Sequence, residues 1–447
     1  MVLERFFSAK TIAVIGASRH PHKIGHVIFR NLIEYFKGKT FAVNPSAEEI
    51  LGKRCYAKVT DIQEHIDLAI ITTPANIVSN VLEDCGKAGI KAVIIISAGF
   101  SEIGNVEGEK RVKEIAKKYH MRIIGPNCLG VYDPYSGIDT FFLPRYKLDR
   151  PKAGDIAFIS QSGALGSVML DWMAMKGYRI SRFVSYGNAV DVDEADLIDF
   201  LARDKKTKVI CAYFEGLRRG REFYEMAKRI TKKKPVIVLK AGITEEGGRA
   251  TLSHTGSLAG SADVYRTAFK QAGIIEANGL EEIFDFARVL ATQPKTTGPN
   301  VQIITNGGGF GVLAADAVAQ AGLRMAEMSE KTKAMLKKSL PQHVVVSNPI
   351  DLTGDADVER YRIAIQACID DKNIDMILLI TLFQIPTLTS DIADVIPEFA
   401  GKKPMVVVAA GGRYTEALKK PLEEQGIPCF SYPNTAARAL AALWKGV

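Results

Sequence analysis

The sequence predicts an α/β protein of three units, each an open, doubly wound parallel sheet covered by helices. Three observations lead there. Short runs rich in Val and Ile alternate with longer amphipathic segments along nearly the whole chain. The runs are apolar throughout rather than at every second position, as parallel strands buried on both faces are. Two polar stretches, 144–154 and 292–300, interrupt the series, and 447 residues fit about three domains. The divisions expected are 1–145, 146–295 and 296–447.

In the first unit Thr11–Ile15, Phe41–Val43, Leu68–Ile71, Ala92–Ile96 and Arg122–Ile124 read as strands, with helices expected at Gly25–Tyr35, Ile77–Ala88 and Glu107–Tyr119. In the second, strands at Ile156–Ile159, Phe183–Val184, Val209–Tyr213 and Val236–Leu239 alternate with helices near Gly163–Lys176, Val192–Ala202, Glu222–Thr231 and Ala262–Ala272. The third has strands near Val301–Thr305, Met376–Thr381 and Met405–Ala409, and closes on a helix at Thr435–Trp444.

Composition narrows the function. Hydrophobic residues make up 47% and charged residues 24%, a globular balance with ample core. No apolar run reaches the roughly 18 residues of a membrane-spanning helix, and Met1–Lys10 lacks the long apolar segment of a signal peptide. A soluble, cytoplasmic protein is expected. Cys55, Cys85, Cys128, Cys211, Cys368 and Cys429 stand singly with no CxxC pair, which argues against zinc and against a disulfide framework. The formal charge of +8 favours anionic partners such as phosphorylated small molecules. With Lys and Arg dispersed and no aromatic RNA-binding motif, it does not single out nucleic acid.

The first strand runs into Gly16-Ala17-Ser18, and Gly25 opens the next helix, where a Rossmann-like unit holds a pyrophosphate on helix N–H groups. Ser18 replaces the second glycine of the dinucleotide fingerprint, and the second strand ends in Asn44-Pro45 where an NAD site places an acid. Both departures count against NAD. Arg19 and Lys23 beside the turn suit a more phosphorylated nucleotide, and coenzyme A, with its 3′-phosphate, fits better. Thr73-Pro74, Ser97-Ala98-Gly99 and Asn127 put small or polar groups at neighbouring strand ends, where an extended ligand can lie close to the backbone.

In the second unit, Ser162-Gly163-Ala164 lies at a strand-to-helix junction, whose exposed N–H groups can hold a phosphoryl group. A plain helix cap is the other reading; Gln-Ser-Gly is not a G-x-S-x-G nucleophile elbow. Glu215 ends a strand beside glycine, placed to fix the tautomer of an imidazole or to be an exposed loop acid. The stretch Gly242–Gly260 reads as a mobile, glycine-rich polar loop carrying His254 just ahead of a helix start. Chemistry on a phosphate and a simple cap both remain open there. Gly308-Gly309-Phe310, in the third unit, follows a strand without the Gly-Lys-Ser/Thr of a Walker A loop, and suits an anion nest or a tight turn.

Taken together, Gly125-Pro-Asn-Cys-Leu-Gly130, Ser160-Gln-Ser-Gly163, Tyr213-Phe-Glu-Gly216 and Ser253-His-Thr-Gly-Ser257 resemble the NDP-forming acyl-CoA synthetases, relatives of succinyl-CoA synthetase. The match runs in order over essentially the whole chain, which resembles the α subunits of archaeal ADP-forming acetate–CoA ligases. The resemblance implies a CoA-binding Rossmann-like domain followed by two flavodoxin-like ligase domains. It implies that His254 is phosphorylated, that Glu215 orients it, and that the helix starts at Ser162–Ala164 and Gly308–Phe310 face its phosphate. The reaction implied is acyl-CoA + ADP + phosphate = acid + CoA + ATP, through acyl phosphate, with acetate the default acid. A partner with an ATP-grasp domain is implied for ADP or ATP with Mg²⁺, in an α2β2 assembly, because all three units here are accounted for as open sheets. The alternative is a CoA-binding regulatory or scaffolding protein with a degenerate site.

Overall fold

A computed structural model describes residues 2–255 and 261–446, with backbone alone at Val2 and over 251–255. By internal contacts the chain forms two compact units, 1–277 and 278–447.

The first unit carries two sheets. One contains β1 (Thr11–Ile15), β2 (Lys39–Val43), β3 (Glu49–Ile50), β4 (Lys53–Tyr56), β5 (Leu68–Ile71), β6 (Ala92–Ile95) and β7 (Arg122–Ile124), in the order β3-β4-β2-β1-β5-β6-β7. Every pairing is parallel except β3 with β4. Setting β3 aside, this is the Rossmann order, and it reverses between β1 and β5. β5 and β6 are buried at every residue, as their uninterrupted apolar sequences require.

The second sheet holds β8 (Gly130–Asp133), β9 (Ile138–Asp139), β10 (Ala153–Ser160), β11 (Ile180–Ser185), β12 (Val209–Phe214), β13 (Val236–Lys240) and β14 (Ile275–Glu276), ordered β14-β13-β12-β10-β11-β8-β9. Its five parallel strands have the flavodoxin-like order, and β8 and β9 add an antiparallel hairpin at one edge. One hydrophobic core joins the two sheets' helical faces; within it Phe7 stacks on Phe200 at 5.2 Å between centroids.

Two sequence expectations change here. The division at 145 falls late, because residues 130–139 already belong to the second sheet. Nor is 144–154 a loose connector. Arg150, almost wholly buried, pairs with the buried Asp139 at 3.0 Å and donates to the carbonyls of Leu143 and Leu148. The other change concerns Gly242–Gly260, expected as a loop: Glu245–Thr255 is helical. Thr244 Oγ1 accepts from Gly247 N at 3.0 Å, and Glu245 and Glu246 in the first turn pair with Arg249 at 4.0 and 3.6 Å. An N-terminal cap with acids in the first turn favours a helix despite Gly247 and Gly248.

The second unit is a single sheet of β15 (Asn300–Thr305), β16 (Arg324–Met325), β17 (Ile350–Asp351), β18 (Met376–Ile380), β19 (Met405–Val408) and β20 (Cys429–Phe430). Its order is β16-β15-β18-β19-β20, again flavodoxin-like, with β17 paired to β15. Both β18 and β19 are fully buried. The helix Leu280–Thr292, N-terminal to the division expected at 296, belongs to this unit. No described helix is long and apolar enough to cross a membrane.

Candidate active site

A cleft of about 530 Å³ opens where the first sheet's strand order reverses, at the carboxyl ends of β1, β2 and β5. Its floor is the turn after β1. Gly16 sits at φ +97°, and a Cβ there would lie 2.6 Å from Thr72 Oγ1. A Cβ on Gly25 would lie 2.1 Å from the Gly16 carbonyl oxygen, so glycine alone lets the helix start approach the turn. Side chains brace the turn from two sides. Asn44 Nδ2 donates to the Ala17 carbonyl at 2.7 Å, and buried His26 donates through Nδ1 to the Ser18 carbonyl at 2.8 Å.

Of the residues expected to bind CoA, Gly16, Ser18, Lys23, Gly25, Asn44, Pro45, Thr73 and Pro74 line this cleft. Ala17 is buried beneath the turn, and Arg19 lies outside the lining, donating to the Ser46 carbonyl at 3.2 Å. Thr72, in the same strand end as Thr73 and Pro74, lines it too; Lys58 and Val81 also line it, and sequence reasoning missed them because they leave no glycine or motif signal. Thr73 Oγ1 is buried without a hydrogen-bond partner, a position that a polar ligand can satisfy.

A second cavity, about 690 Å³, adjoins the first, and Ile24 and Thr72 line both. Ser97, Ala98 and Asn127 face this cavity together with Ser162, Gly163, Ala164 and Glu215. The expected CoA residues thus divide between the two spaces. Ser97 Oγ donates to the Thr73 carbonyl at 2.5 Å, and Asn127 N donates to the Ser97 carbonyl at 2.9 Å. Gly99, at φ +111°, stays outside the lining and donates its N–H to Glu102 Oε1. Asn188, missed in the sequence, ties the walls together. Its Nδ2 donates to Glu102 Oε2 at 2.7 Å and to Glu109 Oε2 at 3.1 Å, and its Oδ1 accepts from Asn127 at 3.3 Å.

The helix Gly163–Met175 points its N-terminus into this cavity. Ser162 Oγ accepts from Leu165 N at 3.3 Å, which leaves the N–H groups of Gly163 and Ala164 without an intrahelical partner. The helix cap expected at Ser162 is present, and the two N–H groups that follow it are left open toward the cavity. Ser160 Oγ locks the junction by donating to the Ser162 carbonyl at 2.7 Å. Gln161 Oε1 then accepts from Glu215 N at 2.8 Å, fixing the end of β12 against the helix start.

Glu215 is buried, which removes the exposed-loop reading. Lys240 Nζ donates to its backbone carbonyl at 2.7 Å. Burial holds the Lys240 amine below the usual lysine range, with Glu215 opposing that shift. Tyr213 OH reaches Glu215 Oε1 only at 3.5 Å, and burial pushes this hydroxyl up to about 12, with the Glu215 charge adding to it. Glu215 Oε2 is buried with no partner. A buried carboxylate oxygen left this way, lining a cavity, can accept a hydrogen bond from an incoming donor.

The backbone of His254 belongs to the helix Glu245–Thr255, which lies beside the turn Ser101–Ile103 at the cavity's edge. Its side chain lies outside the described residues, as does the remainder of the expected loop from 256 to 260. In the other unit the helix Gly308–Gln320 begins at the glycines themselves, so Gly308, Gly309 and Phe310 form its first turn, with Gly307 as an N-cap without a side-chain bond. Thr305 Oγ1 donates to the Gly307 carbonyl at 3.0 Å, and Asn306 Oδ1 accepts from Leu382 N at 2.8 Å.

Comparison with known proteins bears on these features. Residues 10–134 match a CoA binding domain model, 153–290 a succinyl-CoA ligase like flavodoxin domain, and 301–445 a ligase-CoA domain. The α subunit of an ADP-forming acetate–CoA ligase II of Pyrococcus furiosus is 42% identical, over 99% of this chain and 97% of the relative. The chain belongs to the NDP-forming, succinyl-CoA synthetase-like acyl-CoA synthetase family. Another member, an ADP-forming acetate–CoA ligase I of Archaeoglobus fulgidus, is 41% identical over 99% of this chain, which spans 63% of that relative. Among solved structures, the dinucleotide-forming acetyl-coenzyme A synthetase 1 of Ca. Korarchaeum cryptofilum, in complex with phosphate and ADP, superposes with a TM-score of 0.94 at 39% identity, covering 100% of this chain and 97% of that one. This acyl-CoA synthetase family thus accounts for all three sheets.

Proposed function

We propose that this chain is the α subunit of an ADP-forming acid–CoA ligase, with acetate the leading acid, working reversibly through acyl phosphate and a phosphorylated His254. The observation that carries the reading is the cavity in which the inner end of the CoA-type cleft, the helix start at Gly163-Ala164 and the unpartnered carboxylate oxygen of Glu215 converge.

In the ATP-forming direction a phosphate oxygen attacks the thioester carbonyl carbon. The C–S bond breaks, CoA leaves as thiolate and takes a proton, and acyl phosphate remains. A ring nitrogen of His254 then attacks phosphorus, and the acid departs as carboxylate. Gly163 and Ala164 N–H groups stabilise the charge on the transferring phosphoryl group, while Glu215 accepts a hydrogen bond from the other ring nitrogen and fixes the tautomer. Gly308–Phe310 offers a second helix start of the same kind. ADP with Mg²⁺ receives the phosphoryl group on a partner subunit. Two facts support a partner: the Pyrococcus relative is named a subunit, and this chain spans only 63% of the Archaeoglobus relative. The partner carries an ATP-grasp domain, and the assembly is α2β2.

Two measurements test the proposal. The chain assembled with its partner should form acyl-CoA from acetate, CoA and ATP with Mg²⁺, and titration calorimetry of the chain should show CoA binding with negligible NAD binding. CoA binding without turnover by the assembled enzyme would return the chain to a scaffolding role. Preference for NAD would remove the CoA assignment altogether.

A further inference from the structure

The ligase cavity holds more negative than positive charge, yet its substrates are anions. Its lining includes the carboxylates of Glu102 and Glu215 and, among the described residues, a single cationic side chain, Arg218. Phosphate, acyl phosphate and the departing carboxylate must all pass these two acids. The two N–H groups of a helix start supply only partial positive charge.

Arg218 lies three residues beyond Glu215, just after β12. Both terminal nitrogens of its guanidinium are tethered: NH1 donates to the Ala189 carbonyl at 3.2 Å, and NH2 reaches Glu109 Oε1 at a long 3.5 Å. Its side chain is 56% exposed, whereas that of Glu109 is 10% exposed. A guanidinium has five N–H donors, and these contacts engage two of them. A planar, permanently charged, half-exposed fork with N–H groups to spare is suited to the oxygens of a phosphoryl group.

We propose that Arg218 binds the phosphoryl group of inorganic phosphate and of the acyl phosphate formed from it, holding it between the Gly163-Ala164 helix start and the site where His254 attacks. The inference rests on the ligase reading above and adds a substrate-binding residue to it. Arg218 serves the half-reaction on the acyl side. The transfer between His254 and the nucleotide does not need it.

That asymmetry is the test. The assembled enzyme is labelled at His254 from two sources: radiolabelled inorganic phosphate with acetyl-CoA, and ATP labelled at its γ-phosphate with Mg²⁺. In Arg218→Ala, labelling from phosphate should slow by at least about tenfold, the loss expected for a charge-assisted bidentate contact, with a matching rise in the KM for phosphate. Labelling from ATP and the affinity for CoA should stay within about twofold of wild type. Arg218→Lys should recover part of the rate, and added guanidinium should partly rescue Arg218→Ala. Equal slowing from both sources would mean a structural role and overturn the inference, as would unchanged labelling from phosphate. A rise in the KM for acetate alone would assign Arg218 to the carboxylate instead. If the wild-type enzyme takes label from neither source, the ligase reading fails, and this inference falls with it.

Discussion

At Ser160–Ala164 and at Thr305–Phe310 the chain makes the same junction twice. In each, a hydroxyl on the last strand residue bonds the carbonyl two positions on: Ser160 to Ser162 at 2.7 Å, Thr305 to Gly307 at 3.0 Å. In each, the amide side chain that follows accepts an N–H from the end of the neighbouring strand: Gln161 from Glu215 at 2.8 Å, Asn306 from Leu382 at 2.8 Å. Both helices then begin on small residues with bare N–H groups. What differs is the residue held by the amide. At the first junction it is a buried glutamate with an unpartnered oxygen, and at the second it is leucine. A bare helix start can hold a phosphate, but a histidine nucleophile also needs its tautomer fixed, and only the first junction carries a group for that. Under the proposed function, the shared backbone plan supplies anion binding, and one side chain at the strand end adds covalent chemistry to it.

Removing that side chain's charge should therefore have the largest effect. Glu215→Gln should slow ATP-driven phosphorylation of His254 in the assembled enzyme by about a hundredfold or more, the range of a group that governs proton placement. CoA affinity should change little: Glu215 shares the ligase cavity with Ser97, Ala98 and Asn127, but its hydrogen bonds among the described residues go to Tyr213, Gln161 and Lys240, and it lies outside the CoA-type cleft. A near-normal rate would make the two junctions chemically equivalent and break the comparison.

A smaller effect concerns the acids gathered around the first junction. Glu194 is buried, and burial, with the Asp193 charge adding to it, pushes its carboxyl from 4.5 up to about 7. Between those values the folded protein holds a proton that the unfolded chain has released, so stability falls as pH rises through the window. Glu194→Gln removes this slope. The unfolding free energy of the variant relative to wild type should climb from pH 4.5 to 7 and level off above, approaching a gain of about 3 kcal/mol, at about 1.4 kcal/mol per pH unit, read from denaturant melts at each pH. A constant offset across the range would show that Glu194 is charged in the fold throughout.

Much of this was legible in the sequence, for physical reasons that also mark where reading stopped. Strands such as Leu68–Ile71 and Met376–Ile380 are buried on both faces and must be apolar at every position. The hairpin of β8 and β9 was missed because Gly130–Asp133 and Ile138–Asp139 are short, and their place comes from antiparallel pairing with β11. The helix at Glu245–Thr255 was hidden by Gly247 and Gly248, each costing about 1 kcal/mol in a helix. At the site, Ser162, Gly163 and Glu215 stood out because strand ends in such sheets are where ligands bind. Arg218 and Asn188 did not. Their positions matter only because segments near 101, 127, 162 and 188 meet around one cavity, and no local pattern records that. Arg218 follows Glu215-Gly216 by two residues, the one signal available.

The central claim is that His254 carries a phosphoryl group. Its most direct test is to incubate the assembled enzyme with γ-labelled ATP and Mg²⁺ and map the label on this chain. The account predicts an acid-labile, base-stable phosphate on His254 of the wild type and none in His254→Ala. Equal labelling of the two would contradict it.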